Sequence, residues 1–203
     1  MDPPFVDPDE VNPDADQSAG AHARELAHAK AHSLTDADTT PPLPAVILGA
    51  DTLCIDADGR GIGKPATREA ARTMLHGFVQ TTHEVATGVC LLRLDADGQH
   101  AEEVSFTETA HVEWGPVSEA DLERYVRSEA WRGKAGGYNL FERRDAGWPI
   151  KVTGDETAVV GLPMRRVREA LLDMDIVPRA KSAPHASHAS HASGASRVSE
   201  AAP

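Results

Sequence analysis

Asp51 follows directly on the apolar run Ala45-Val-Ile-Leu-Gly-Ala50, which is preceded by Pro41, Pro42 and Pro44. A short apolar run with such boundaries predicts a buried central strand. A carboxylate placed there is either a cap or turn residue, or a general base or metal ligand at the carboxyl edge of a sheet, where clefts form. Further on stands Gly61-Ile-Gly63-Lys64-Pro65. Its glycines would let anionic oxygens approach the backbone, and Lys64 offers a point charge. It is not a GxxxxGK[ST] phosphate loop, because Pro65 lacks both an amide and a hydroxyl, and a solvated turn lysine is the plain alternative. Gly133-Lys134-Ala-Gly136-Gly137-Tyr138 places three glycines around a lysine and a tyrosine. That suits either close approach of the backbone to a ligand or simply a flexible loop. Glu10, in an acidic tail, and Lys30, on a helix, are unremarkable in isolation.

These residues need elements to position them. Residues 18–33 predict a helix, with Ser18 as its cap and alanines and Leu26 as strong formers. After the strand at 45–50, Asp58-Gly59 predicts a hairpin turn. Residues 67–78 form an amphipathic pattern with Ala70, Ala71, Met74, Leu75 and Phe78 on one face. Residues 83–94 and 103–114 predict two strands joined through the Asp-Ala-Asp-Gly turn at 95–98. This turn and its twin at 56–59 are not calcium loops: in the first, Arg60 falls where a ligand belongs and Thr67 replaces the bidentate acid. Ser118 predicts the start of a helix reaching about residue 127, with Glu119 and Asp121 in its first turn. Residues 159–162 are a short apolar segment, and Pro163 opens a last helix with Met164, Val167, Ala170 and Leu171 inward. Strands and helices intermixed in this way imply an α/β or α+β sheet domain.

Composition narrows the function classes. The chain has 203 residues, 40% of them hydrophobic, and a formal charge of −12. Residues 1–40 hold nine acids against two bases. Such a field repels DNA and anionic lipid, so nucleic-acid and membrane partners are not expected. A small anionic ligand needs local bases or a divalent cation to overcome it. No apolar run approaches the ~20 residues of a spanning helix, and the acidic, Pro-rich start is unlike a signal peptide. Cys54 and Cys90 sit in apolar strand-like segments and read as buried free thiols. The expectation is a soluble, cytoplasmic protein. Residues 1–178 are taken as the domain and 179–203, rich in Ala, Ser and His, as a disordered tail. The spacing of His185, His188 and His191 offers weak chelation at most.

Taken in order, several blocks resemble one family. ILGADTLCIDADGRGIGKP is similar to the central motif of Maf-type nucleoside triphosphate pyrophosphatases, in which a strand ending in Asp-Thr leads through a hairpin to Gly-Lys-Pro. HEVATGVCLL, SEADLERYV, GKAGGY and VVGLPM resemble that family's later blocks, and Asp9-Glu10 and Leu26-Ala-His-Ala-Lys30-Ala its earlier ones. The resemblance spans about residues 5–173, and so many blocks in register are far more specific than any one of them. It implies a Maf/ITPase-like mixed twisted sheet flanked by helices. The implied reaction is hydrolysis of a nucleoside triphosphate, of the dTTP/UTP type or a related or modified nucleotide, to monophosphate and pyrophosphate. By resemblance, Asp51 is the general base and a ligand of Mg²⁺ or Mn²⁺, and Glu10 a second metal carboxylate. Lys64 takes a catalytic role, while Lys30 and Lys134 bind phosphates. Thr52, Tyr138 and Phe141 fall where base preference is set, and a homodimer is implied by the family alone.

Two departures stand out. The family's opening strand and its Ser-x-Ser-Pro-Arg-Arg element, whose hydroxyls and arginines grip the triphosphate, have no counterpart before Asp9. The first strand and helix are thus expected to be missing, through a start assigned too far downstream or through decay to a nucleotide-binding remnant without turnover. Phe141 stands where the pyrimidine branch carries glutamine. A phenyl ring can stack on a base but cannot hydrogen-bond its edge, which leaves Asn139 or Glu142 for that role.

Overall fold

The computed structural model describes residues 18–35, 42–56, 59 and 61–177. Glu10, Asp58 and the tail 179–203 lie outside the described residues. Helix α1 (Ala19–Ser33) is followed by strands β1 (Ala45–Ile55) and β2 (Gly61–Ile62), α2 (Arg68–Phe78), β3 (Thr82–Leu94) and β4 (His100–Trp114). Then come α3 (Glu119–Ser128), a 3₁₀ turn at Ala135–Gly137, α4 (Leu140–Asp145), β5 (Ile150–Thr153), α5 (Glu156–Val159) and α6 (Met164–Asp173). The five strands form one sheet in the order β2-β1-β3-β4-β5, and each neighbouring pair is antiparallel.

Local signals set most of these boundaries. Ser18, Thr67 and Ser118 each accept a backbone amide from the first turn of α1, α2 and α3 respectively, satisfying a donor that the helix itself leaves unpaired. The β3–β4 turn is stapled by Asp95, whose Oδ1 accepts from the amides of Asp97 (2.9 Å) and Gln99 (2.8 Å). Asp51, however, does not end a strand. β1 continues to Ile55, and its ladder with β3 runs unbroken from Ala45↔Leu94 to Ile55↔Glu84, because Thr-Leu-Cys-Ile keeps pairing beyond the acid. The predicted inner face of α6 is also narrower than its pattern: Val167 and Ala170 are buried, whereas Met164 is 50% exposed.

The sheet's two faces are packed differently. Residues alternate between faces along a strand, so Ile47, Gly49, Asp51, Gly88, Cys90 and Leu92 share one face. There α1 lies against the sheet through Ala23, Ala27 and Ala31, all fully buried. A Cβ on Gly49 would stand 2.2 Å from the Ala27 carbonyl oxygen, and one on Gly88 would stand 2.3 Å from that of Ala23. Only glycine permits so close an approach. On the opposite face α2 and α3 cover Cys54, Val85 and Val112, and α6 covers Val89, Leu91 and Phe106. Both cysteines are free and buried, and burial pushes the Cys54 thiol up to about 12. β3, at the centre, is buried without interruption from Val85 to Leu92.

An aromatic knot supports this second face. Phe78 stacks on His83 with ring centroids 4.0 Å apart, and Trp114 meets Tyr138 edge-on at 5.0 Å. The His83 Nε2 and the Tyr138 hydroxyl lie 2.8 Å apart. His83 is 2% exposed, and burial pushes its imidazole down to about 4.

Two consequences are measurable. Gly88→Ala is expected to cost at least about 2 kcal/mol in urea unfolding, because the added methyl meets helix backbone that cannot rotate aside. The second concerns pH. His83 is neutral in the fold, while an unfolded histidine binds a proton near pH 6.5, so its contribution is complete above that value. It is lost as pH falls towards 4, on the order of 3 kcal/mol in all. The stability difference between pH 7 and pH 4.5 should therefore be smaller in His83→Gln than in the native chain.

Candidate active site

β2 pairs only with Cys54 and Ile55, so among the described residues the outer edge of β1 from Ala45 to Leu53 has no strand partner. Side chains from both faces of β1 can be reached from this edge, and a cavity of about 360 Å³ opens there. Its walls include Lys30 of α1, Asp51 and Thr52 of β1, Lys64, the segment Gly133–Ala135, Tyr138, Asn139 and Val159–Gly161.

Asp51 is 6% exposed and opposes Gly88 in the ladder. The close seating of α1 on Gly49 and Gly88 brings Lys30 over it, with Nζ 2.5 Å from Asp51 Oδ1. The other oxygen, Oδ2, is buried with no hydrogen-bond partner among the described residues. A buried carboxylate with one oxygen satisfied is normally costly, and such an atom is suited to receive a proton or a cation.

Thr52 points to the other face. Thr87, fully buried, donates its hydroxyl proton to the Ala158 carbonyl at 2.8 Å, and the Thr52 and Thr87 hydroxyl oxygens are 2.8 Å apart. A hydroxyl has one proton to give. Thr52 must therefore donate to Thr87, which leaves its own oxygen as an acceptor towards the cavity.

The two glycine-rich segments prove to be one structure. The Gly136 amide donates to the Gly63 carbonyl at 3.3 Å, the Tyr125 hydroxyl to the Gly137 carbonyl at 3.0 Å, and Tyr138 is tied to His83. Gly136 has φ 67°, and a Cβ there would press within 2.6 Å of Cys54 Sγ. The loop is pinned rather than flexible, and it turns Lys134 and Lys64 towards the same space. Lys134 Nζ lies 2.5 Å from Glu142 Oε2, an ion pair across the first turn of α4.

Six of the residues singled out in the sequence thus meet at one cavity: Lys30, Asp51, Thr52, Lys64, Lys134 and Tyr138. Phe141 does not line it; its side chain stands 42% exposed on α4. Tyr138 contributes a wall, with its hydroxyl committed inward. Asn139 also lines the cavity, but its Oδ1 is used to cap α4, accepting the Glu142 amide at 3.1 Å. Sequence reasoning missed Thr87, which orients Thr52, and Glu142 as the partner of Lys134. Thr87 left a faint signal as a hydroxyl within an otherwise apolar stretch of β3.

The Lys30–Asp51 pair can be tested as a unit. Lys30→Met strands a buried carboxylate and is expected to cost about 1–3 kcal/mol, below the value for a fully buried pair because Lys30 retains some solvent contact. Adding Asp51→Asn should restore at least half of the loss in urea unfolding. Additive losses would mean that the two groups do not interact.

Comparison with known proteins places the chain in a family. The Maf-like protein family matches residues 2–174. The dTTP/UTP pyrophosphatase of Acholeplasma laidlawii is 38% identical over 136 residues, covering 67% of each chain. That of Shouchella clausii is 36% identical over 155 residues, 76% of this chain and 75% of its own length. The dTTP/UTP pyrophosphatase of Salinibacter ruber is 36% identical over 127 residues, 63% of this chain but only 60% of that protein. A match over residues 2–174, joined to an Asp51 cavity ringed by lysines, makes this chain a member of the Maf-like protein family.

Proposed function

We infer that this chain is a nucleoside triphosphate pyrophosphatase that releases pyrophosphate and a nucleoside monophosphate from dTTP, UTP or related nucleotides. The observation that carries this reading is Asp51, held on one oxygen by Lys30 and, among the described residues, unpartnered on the other, in a cavity it shares with Lys64 and Lys134. Three lysines gather at this cavity in a chain of net charge −12. A triphosphate would find little other reason to approach.

In this reading water attacks the α-phosphorus and the bond to the β-phosphate breaks. Asp51 Oδ2 accepts the water proton, and Lys30 holds the carboxylate's orientation through Oδ1. Lys64 and Lys134 neutralise charge on the phosphates, where it builds as pyrophosphate departs. Lys134 shares its charge with Glu142 until a phosphate competes for it. Thr52, an acceptor towards the cavity, matches the ring N–H of thymine or uracil. Phe141 stands off the cavity wall, 42% exposed.

Mg²⁺ or Mn²⁺ fits the donors present. Such ions take hard oxygen ligands, commonly one or two carboxylates together with substrate phosphates. Asp51 would be one carboxylate ligand, its Oδ2 offering one lone pair to the ion and the other to the water, and Glu10, outside the described residues, the second. When bound, the ion adds positive charge to the phosphates. No described helix is long and apolar enough to cross a membrane, and a cytoplasmic setting would place the chain with nucleotide pools.

The test is pyrophosphate release from a nucleotide panel with Mg²⁺, Mn²⁺ or a chelator, run beside equilibrium binding of dTTP. Asp51→Asn is expected to lower turnover at least about 100-fold, the usual scale for losing a general base, while dTTP still binds. Equal rates in the two chains would remove Asp51 as the base. Binding without turnover in the native chain would make it a nucleotide-binding remnant.

A further inference from the structure

Away from the cavity, three histidines and a glutamate converge where α1 crosses β4. His28 and His32 stand one turn apart on α1, with ring centroids separated by 4.1 Å and planes inclined by 29°. Each turns Nε2 towards Glu103: His28 lies 3.3 Å from Oε1 and His32 3.1 Å from Oε2. One potential ligand atom from each of His28, His32 and Glu103 lies within 4.8 Å of the others. His100, three residues before Glu103 on β4, has its Nε2 3.8 Å from Glu103 Oε2.

We propose that His28, His32 and Glu103 form a binding site for a late first-row divalent cation, with Zn²⁺ the natural occupant. The donor chemistry separates this site from the catalytic cavity. Two imidazole nitrogens and one carboxylate favour Zn²⁺, Ni²⁺ or Cu²⁺, whereas Mg²⁺ prefers oxygen ligands alone. Two histidines at i and i+4 on a helix are held in register by the backbone, so little order has to be imposed when the ion enters. The neutral rings need only carry their protons on Nδ1 to offer Nε2 as a ligand. The other cluster of this kind among the described residues, His76 with Glu119 and Glu123, supplies a single nitrogen, and its Glu123 is already engaged by Arg72.

The site would join α1 to β4. α1 is tied to the sheet by the Thr107 hydroxyl, which donates to the Gly20 carbonyl at 2.8 Å, and by Lys30 on Asp51. A cation held by His28, His32 and Glu103 would add a clamp over the last turns of the helix. Lys30 lies between the two histidines in sequence, so the clamp would stiffen the turn that carries it.

The experiment is a zinc titration of the metal-free full chain against a chromophoric chelator, with thermal unfolding followed in parallel. It compares the native chain with His28→Gln/His32→Gln, with Glu103→Gln and with His185→Gln/His188→Gln/His191→Gln. Circular dichroism confirms that each variant folds, and the half-exposed histidines should tolerate the change. The native chain and the tail variant are expected to take up one tight equivalent of Zn²⁺ and to gain thermal stability from it. The His28/His32 and Glu103 variants should bind at least about tenfold more weakly and lose the thermal gain. Superposable titrations for the native and His28/His32 chains would overturn the proposal. So would uptake that vanishes only with the tail histidines, or no saturable uptake at all. None of these readouts depends on nucleotide hydrolysis.

Discussion

The seating of α1 on the sheet governs much of what this molecule can do. Ala23, Ala27 and Ala31 along one stripe of the helix meet Gly49 on β1 and Gly88 on β3, with no room for a Cβ on either glycine. Small residues on both sides let the helix backbone sink towards the sheet. That depth, rather than any long-range attraction, brings Lys30 within 2.5 Å of Asp51. Larger residues at the contact would raise the helix, and the ammonium would lose its reach to a carboxylate buried in the middle of a strand.

Electrostatics then works locally against the protein as a whole. The chain carries a formal charge of −12, yet the cavity beside Asp51 gathers Lys30, Lys64 and Lys134. Lysines brought from three separate segments create a field over a few ångströms that the distant acids, screened by salt, do not cancel. Carboxylates restrain Lys30, through Asp51, and Lys134, through Glu142. These pairs hold long side chains in place before any ligand arrives, at the cost of charge the ligand must compete for.

The other face of the sheet provides rigidity. The stack of Phe78, His83, Trp114 and Tyr138 anchors the end of the glycine-rich loop, and the Tyr125 hydroxyl holds its middle. A loop with so many glycines would wander if left to itself. Here each outward-facing lysine rests on a backbone fixed from beneath. The neutral buried His83 makes this support sensitive to acid, because protonation inside an apolar cluster has no compensating charge.

Helices α1, α2 and α3, the strands β1, β3 and β4 and the Asp95 turn were all legible in the sequence. Each depends on a capping hydroxyl, a turn residue or an apolar period acting within a few positions. So was the suspicion that Asp51, Lys64 and the glycine-rich loop belong to one site, though only through the order of blocks that resemble a family. α4, β5 and α5 were not legible. With 6, 4 and 4 residues, they are too short to show a period and exist because the rest of the fold gives them a surface to pack on. Tertiary structure alone decided that β1 runs on past Asp51, since a strand's length is set by its partner as well as by its own residues. It also decided that Lys30 meets Asp51, that the Gly63 and Gly136 segments bond to each other, that Lys134 is shared with Glu142 and that Phe141 is left exposed on α4. Those are contacts between residues distant in the chain or turned by packing, and no local pattern encodes the distance between them.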